Sequence, residues 1–407
     1  MSEMQMTGER IAYHRKRLGL SQVEFAGLVG RSESWVSQVE RGARPVDRMS
    51  VLQKVADVLS VPVAELRAES EQSQDADERP ESFDTIRAAL TGHPAIDTVL
   101  GAAQPPISRD ALDAIRKQHS AVWDLVHESQ YTKLAPLLSS LIPDLEKATR
   151  NAQSEELRTA ARELLTDTYQ ATAAALSKLG EADAAWIAAD RAAFIAESIG
   201  EPLSVAASMF RMAHVFLSLG QISQAQQVAN TTSQALEPLI DADPTAKALS
   251  LFGAFHLVLA IASARDNDRN EAHSHLDTAR DIARRLNEDR NDYDTEFGPS
   301  NVGVHAVGVA VELGDAGHAL ELAREVNTEG LSSERQARYL IDLASAHAMR
   351  RQLGEALRDL QEAEQIAPEL TRTHRLARDV TRDLLQLSGL RPRPELRELA
   401  ERFGILP

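Results

Sequence analysis

At 407 residues the chain is too long for one ordinary core and suits two or three domains, or one small domain with a repeat array. Cysteine is absent, which excludes disulfides, thiol catalysis and cysteine-ligated zinc, and no apolar run reads as approaching the roughly 20 residues that span a bilayer. The net charge of −17 argues at first sight against nucleic acid, but residues 1–66 hold nine Lys/Arg against eight Asp/Glu, so the acid lies in the remainder. Charges beyond a Debye length of roughly 8 Å are screened, so a near-neutral segment still meets phosphates if its basic residues share a face.

Aromatic residues make up only 4% of the chain, and the long apolar-periodic stretches hold little Gly or Pro. That balance predicts an all-α protein whose helices pack closely through Ala, Leu, Val and Ile. The opening MSEMQMTGERIAYHRKR has no apolar core of a signal peptide, so a reducing cytoplasm and no membrane association are expected.

The first element group spans 1–66 and reads as a compact five-helix unit. Within it, GLSQVEFAGLVGRSESWVSQVERG (19–42) carries the strongest local signal. Ser21 caps a helix beginning at Gln22, with Glu24 completing a capping box. Ala26 is small where two helices must cross, and Gly30 supplies a left-handed turn. Ser32 caps a second helix whose Val36 and Val39 point to the core, and Gly42 ends it.

These residues, Gln22, Ala26, Gly30, Val36 and Val39-Glu40-Arg41-Gly42 together, resemble the Cro/CI-type (Xre) helix-turn-helix family over residues 7–66. The resemblance implies a lambda-repressor-like DNA-binding domain whose second motif helix enters the major groove. Glu33, Ser34, Ser37 and Gln38 would then face base edges: Glu33 accepting from cytosine, Gln38 pairing with adenine, the serines adapting to either. Gln22 is expected at a phosphate through its side chain and helix N-terminus, with Arg31, Arg41 and Arg44 as further phosphate contacts. Trp35 covers the core edge or packs on sugar. For Arg15, Lys16 and Arg17, a solvated face and a phosphate contact stand level. One such domain binds modestly, so a homodimer on a palindromic double-stranded operator is expected.

Residues 67–82 carry many charges and no apolar period, and read as a flexible acidic linker. From 83 to 407 the pattern is helical. Leu179-Gly180, Leu219-Gly220, Leu313-Gly314 and Leu353-Gly354 each end an apolar segment and precede Ala184, Ala225, Ala319 and Ala356. Asp266-Asn267, before Ala272, sits where an intermediate turn would fall. A period near 40 with two helices per unit predicts an α-solenoid of helical hairpins. L-G-x-x-x-x-A at 219–225 and 313–319 resembles degenerate tetratricopeptide repeats. An Xre-type segment, a linker and such repeats together resemble peptide-responsive regulators, in particular actinobacterial ones. The resemblance implies a peptide or small-molecule effector in the concave groove. Helical phase counted from the Leu-Gly pairs places Gln170, Lys178, Phe210, His214, Asn301 and Arg351 there, with Asp167 and Ser218 beside them. Ordinary solvated groove residues are the competing reading.

DYDTEFGPSNVGVH (292–305) breaks the rhythm and suits either a binding loop or a plain connection. No Walker loop, G-x-S-x-G or H-E-x-x-H occurs, so neither an enzyme nor a cofactor is expected. His273 and His275 stand two apart on a helix and face different ways, so no metal site is read there. The expectation is a ligand-responsive DNA-binding regulator. A protein-interaction adaptor and a constitutive repressor with merely oligomerising repeats are the alternatives.

Overall fold

The structure is a computed structural model that describes residues 3–42, 44, 46, 49–59, 61, 63–66, 81–91, 106–242, 244–388 and 392–406. It divides into two compact units, Met1–Pro80 and Glu81–Pro407. Of the expected linker 67–82, residues 67–80 lie outside the described residues, while Glu81 already opens a helix. Among the described residues the regular elements are helices, with two isolated bridges and no strand.

Among the described residues the N-terminal unit holds five helices: α1 (Glu3–Arg17), α2 (Gln22–Val29), α3 (Glu33–Glu40), α4 (Met49–Leu59) and α5 (Val63–Leu66). Ile11, Phe25, Ala26, Val29, Val36, Val39, Leu52, Val55, Ala56, Leu59 and Leu66 make its core. The caps form as the residues dictate. Glu24 N–H donates to Ser21 Oγ while the Glu24 carboxylate accepts from Ser21 N–H at 2.8 Å, and Gly30 adopts φ 70° after α2. Gly8 lets α1 cross the end of α3, since a Cβ there would lie 2.2 Å from the Val39 carbonyl oxygen.

The second unit begins with α6 (Glu81–Thr91) and α7 (Arg109–His119). Six helical hairpins follow: α8/α9 (Val122–His127, Tyr131–Asn151), α10/α11 (Glu155–Lys178, Ala182–Ile199), α12/α13 (Pro202–Ser218, Ile222–Ala242), α14/α15 (Ala246–Arg265, Arg269–Leu286), α16/α17 (Pro299–Glu312, Ala316–Leu322) and α18/α19 (Ser333–Met349, Leu353–Ile366). Short α20 (Pro368–Thr373), α21 (Arg375–Ser388) and α22 (Pro394–Arg402) close the series.

One turn is used six times. The residues at 129, 180, 220, 267, 314 and 351 are left-handed, and the next residue's N–H reaches the carbonyl five positions back at 2.8–2.9 Å. This bond satisfies a carbonyl that the helix end would otherwise leave open. Five residues beyond each left-handed residue stands a small or apolar side chain with no exposure: Leu134, Ala185, Ala225, Ala272, Ala319 and Ala356. Four of these turns match the sequence expectation, including Asn267. The last does not. Leu353-Gly354 begins α19 rather than ending α18, and Arg351 takes the left-handed position instead (φ 59°). Spacings between turns therefore run from 37 to 51 residues rather than holding near 40.

First helices stack in order, α10 on α12, then α14, α16 and α18. The stack also closes on itself. Helix α8 packs against α18, Thr132 N–H and Oγ1–H donate to Glu369 Oε2 at 2.9 and 3.0 Å, and one apolar core joins Val122 and Leu134 to Ile341 and Leu370. Helix α14 is a 20-residue apolar segment, which corrects the expectation that no run approaches that length. Its apolar window is 72% buried between neighbouring hairpins, as a helix apolar on all sides requires.

Gly180→Ala meets no atom within 4 Å, so its cost is the left-handed backbone alone, about 1–2 kcal/mol. Gly253→Ala places a Cβ 2.0 Å from Phe297 Cζ and should cost more, about 3 kcal/mol, by displacing that ring. Denaturant unfolding of the two variants is expected to rank them in that order.

Candidate nucleic-acid interface and the inner face of the body

Helix α3 is held from behind by one buried ion pair. Arg15 of α1 donates from Nε to Glu40 Oε1 at 2.5 Å and from a terminal nitrogen to Oε2 at 2.8 Å, with side chains 8% and 6% exposed. Its other terminal nitrogen reaches the Leu20 carbonyl at 2.6 Å, and Gln22 Nε2 adds a bond to Glu40 at 2.7 Å. Burial opposes the Glu40 charge, but hydrogen bonds from Arg15 and Gln22 outweigh it and hold the carboxyl below its ordinary pKa. One carboxylate thus fixes α1, the start of α2 and the end of α3 together.

On the other side of α3, Glu33 and Ser34 are exposed, while Ser37 and Gln38 are half-buried beside buried Val36 and Val39. Arg31 lies 5.7 Å from the centroid of half-buried Trp35. Arg41 is exposed and donates from Nε to the Ser37 carbonyl at 3.0 Å, and Arg44 is exposed.

In the body, charged and polar side chains collect on the inner face of the stacked first helices. Arg211, His305 and Asp342 each stand nine residues before a left-handed turn residue, and Asp167, Asn301 and Arg338 stand thirteen before one. Four residues is about one helical turn, so both sets share a face. Glu334 is fully buried with neither oxygen hydrogen-bonded, and Lys178 Nζ, Arg335 Nε and an Arg338 terminal nitrogen approach it at 3.5–3.6 Å. Burial would raise its pKa, but those three cations overcome that and hold it well below the usual carboxylate range. His127 is pushed down to about 4 and His305 to about 3, in both cases chiefly by burial, so both are neutral imidazoles at pH 7.

The segment from Glu288 to Gly298, between α15 and α16, crosses this face as a strap. Arg211 donates to the carbonyls of Tyr293 and Asp294 at 2.6 and 3.0 Å, with its guanidinium 4.7 Å from the Trp123 ring centroid. Glu296 accepts from Ser332 N–H and Oγ–H at 3.0 and 2.9 Å, and Arg335 approaches it at 3.4 Å. His127 lies 3.5 Å from Asp294 and 3.8 Å from Glu296. Burial pushes the Asp294 carboxyl up to about 7. Tyr293, Asp294 and Glu296 are all left-handed, at φ 51°, 54° and 51°, a strain of about 1 kcal/mol or more each. Phe297, fully buried against Gly253, anchors the strap's end.

Residues 8–69 match the model of a helix-turn-helix domain. Over 69 residues the chain is 35% identical to the HTH-type transcriptional regulator SinR of Bacillus licheniformis. That alignment covers 17% of this chain and 62% of its relative, so the chain spans under two thirds of the curated relative's length. Residues 8–69 of the N-terminal unit are a helix-turn-helix domain. Among solved structures, PlcR of Bacillus thuringiensis in complex with the peptide PapR7 and DNA is similar at 11% identity, covering 86% of this chain and 98% of that one. The TM-score is 0.30.

Within the helix-turn-helix domain, Arg15 is neither solvated nor turned to phosphate, the two readings its RKR run allowed; it is committed to Glu40. Its place four residues after buried Ile11 is the signal that marks it as inward-facing. In the body, the structure does not bring the six expected groove residues together. Gln170 is 3% exposed and donates to Ser208 Oγ at 2.9 Å, which packs α10 against α12. Phe210 belongs to the apolar core and stacks edge-on with Phe255. Arg351 is at a turn, exposed, for the reason given above. Asn301 is 1% exposed and bonds the Glu296 carbonyl at 2.8 Å, so it positions the strap. Lys178 and half-buried His214 do belong to the inner face, where Arg211, Arg335 and Arg338 surround His214 electrostatically. Arg211, Glu334, Arg335 and His127 were not among the expected residues.

Arg15→Ala leaves Glu40 buried without its charge partner and should cost the domain about 3 kcal/mol. The depressed Glu40 pKa fixes the sign with pH: its contribution is present above the ordinary carboxyl value of about 4.3 and is lost as pH falls through the lower folded value. Hydrogen exchange of α1–α3 amides in the full chain should show reduced protection for Arg15→Ala at pH 7, and a wild-type loss of protection on acidification.

Proposed function

We propose that the chain is a sequence-specific DNA-binding transcription regulator whose helical body senses an effector. The observation that carries the DNA reading is α3 itself, which turns Val36 and Val39 inward and leaves Glu33, Ser34, Ser37 and Gln38 on the opposite side. An α-helix fits the major groove, where Glu33 would accept from cytosine N4 and Gln38 pair with adenine N6/N7. Arg31, Arg41 and Arg44 are exposed and would hold phosphates. Gln22 is bonded to Glu40 through one Nε2 hydrogen, which leaves the second, with the backbone N–H groups opening α2, for a phosphate.

A domain this small reads few base pairs, so a homodimer on two half-sites about one helical turn apart supplies the affinity. The inner face of the body supports effector sensing. Ionisable groups buried at the cost that Glu334 and Arg211 imply belong more often to binding sites than to plain packing. A peptide or a small polar molecule is the class of effector that such a face suits.

Selection from a random duplex pool with the full chain should enrich a palindrome; no enrichment overturns the DNA reading. Against that sequence, Gln38→Ala should lose about 1–3 kcal/mol and relax preference at one base position per half-site. Arg44→Ala should weaken all sequences alike and reduce the salt slope by about one.

A further inference from the structure

The strap makes its polar contacts with residues far from it in sequence. Arg211 comes from α12, His127 from α8, Ser332 and Arg335 from the start of α18, and Asn301 from α16. Two kinds of group are read. Arg211 holds consecutive main-chain carbonyls, and His127, Ser332 and Arg335 gather around two carboxylates spaced two residues apart, Asp294 and Glu296. Backbone carbonyls and i, i+2 carboxylates are what a bound acidic peptide offers.

The fit is incomplete. Arg211 Nε and Arg335 Nε are buried and make no hydrogen bond while the strap is in place, although Arg335 Nε stands 3.4 Å from Glu296, and the Glu334 oxygens have cations at 3.5–3.6 Å but accept no hydrogen bond. Three non-glycine residues in four hold left-handed backbone to make the contacts that do form. A segment tethered at Arg290 and Phe297 keeps that backbone strain while it is seated, whereas an untethered one of the same chemistry can meet the same groups without it.

We infer that the inner face is a recognition site for an acidic peptide of the pattern Asp-x-Glu followed by an aromatic, and that the strap is its resident occupant, displaced when such a peptide binds in trans. This deepens the effector part of the reading above. It gives the effector a charge and a spacing, and it makes occupancy a competition inside the chain.

The probe is the synthetic heptapeptide of residues 291–297, Asn-Asp-Tyr-Asp-Thr-Glu-Phe, with its affinity for the full-length protein measured by calorimetry without DNA. Glu296→Ala cuts the strap from Ser332 and Arg335 and should bind the peptide about tenfold more tightly than the wild type. Asp289→Ala removes the acceptor of Ser300 N–H and Oγ–H at the strap's root, outside the receptor groups, and should act in the same direction. Melting curves identify any variant that fails to fold, in which case the other carries the comparison. A peptide with its second Asp and its Glu replaced by Asn and Gln cannot be affected by protein folding, and should lose about tenfold on the loosened variant. Equal binding to wild type and loosened variants, equal binding of charged and neutralised peptides, or no binding to any of them overturns the inference. Because DNA is absent, these results stand apart from success or failure of the operator selection.

Discussion

The body depends on how closely its paired helices approach, and that approach is set at six left-handed turns. Each turn returns the chain through one hydrogen bond reaching five residues back, then sets a fully buried residue five positions on, Ala in five of the six cases. Ala brings the two helix backbones together with almost no side-chain entropy to lose. Close pairing draws successive first helices into one stack, and in the units that turn at Gly180, Gly220, Gly314 and Arg351 residues nine or thirteen positions before the turn add to a shared inner face. Larger residues at the pairing positions would splay the hairpins and separate Arg211, His305 and Arg338, which come from different units.

Legibility in the sequence followed how local the determining interaction is. Ser21, Glu24, Gly30 and Ser32 act on backbone groups within a few residues, so the boundaries of α2 and α3 could be read directly. The Arg15–Glu40 pair spans 25 residues and has no local signature except helical phase. In the body, Gly180, Gly220 and Gly314 announced their turns because glycine takes left-handed backbone freely. Ser129 and Arg351 take the same conformation without such a mark, and Gly354, three residues past the last turn, offered a false one. A register error of that size rotates a helix by most of a turn, so the inner face of α18 was missed. Phe210 shows a smaller slip: its neighbour Arg211 is the residue that faces inward.

Charge is arranged so that the acidic chain still presents cations where they count. Within the N-terminal unit Arg15 is neutralised by Glu40, and Arg31, Arg41 and Arg44 stay exposed around α3. The bulk of the negative charge sits on the body, which opposes indiscriminate attraction to nucleic acid. The inner face reverses the body's sign locally: Lys178, Arg211, Arg335 and Arg338 converge there, and Glu334 with the strap carboxylates offsets them. A self-compensated cluster tolerates burial in a way that either half would not.

Closure changes what occupancy of that face does to the rest of the body. An open solenoid absorbs a ligand by small rotations of a few hairpins, because each unit touches only its neighbours. Here α8 is pinned to α18, and Thr132 to Glu369, so rotations cannot run off the ends. The strap adds a second tie between the same regions, from His127 on α8 to Ser332 and Arg335 on α18. Packed interfaces hold discrete arrangements rather than deforming continuously. A change at the strap is therefore felt either around the whole ring or as a release of its closure, and both reach helices that never touch the inner face.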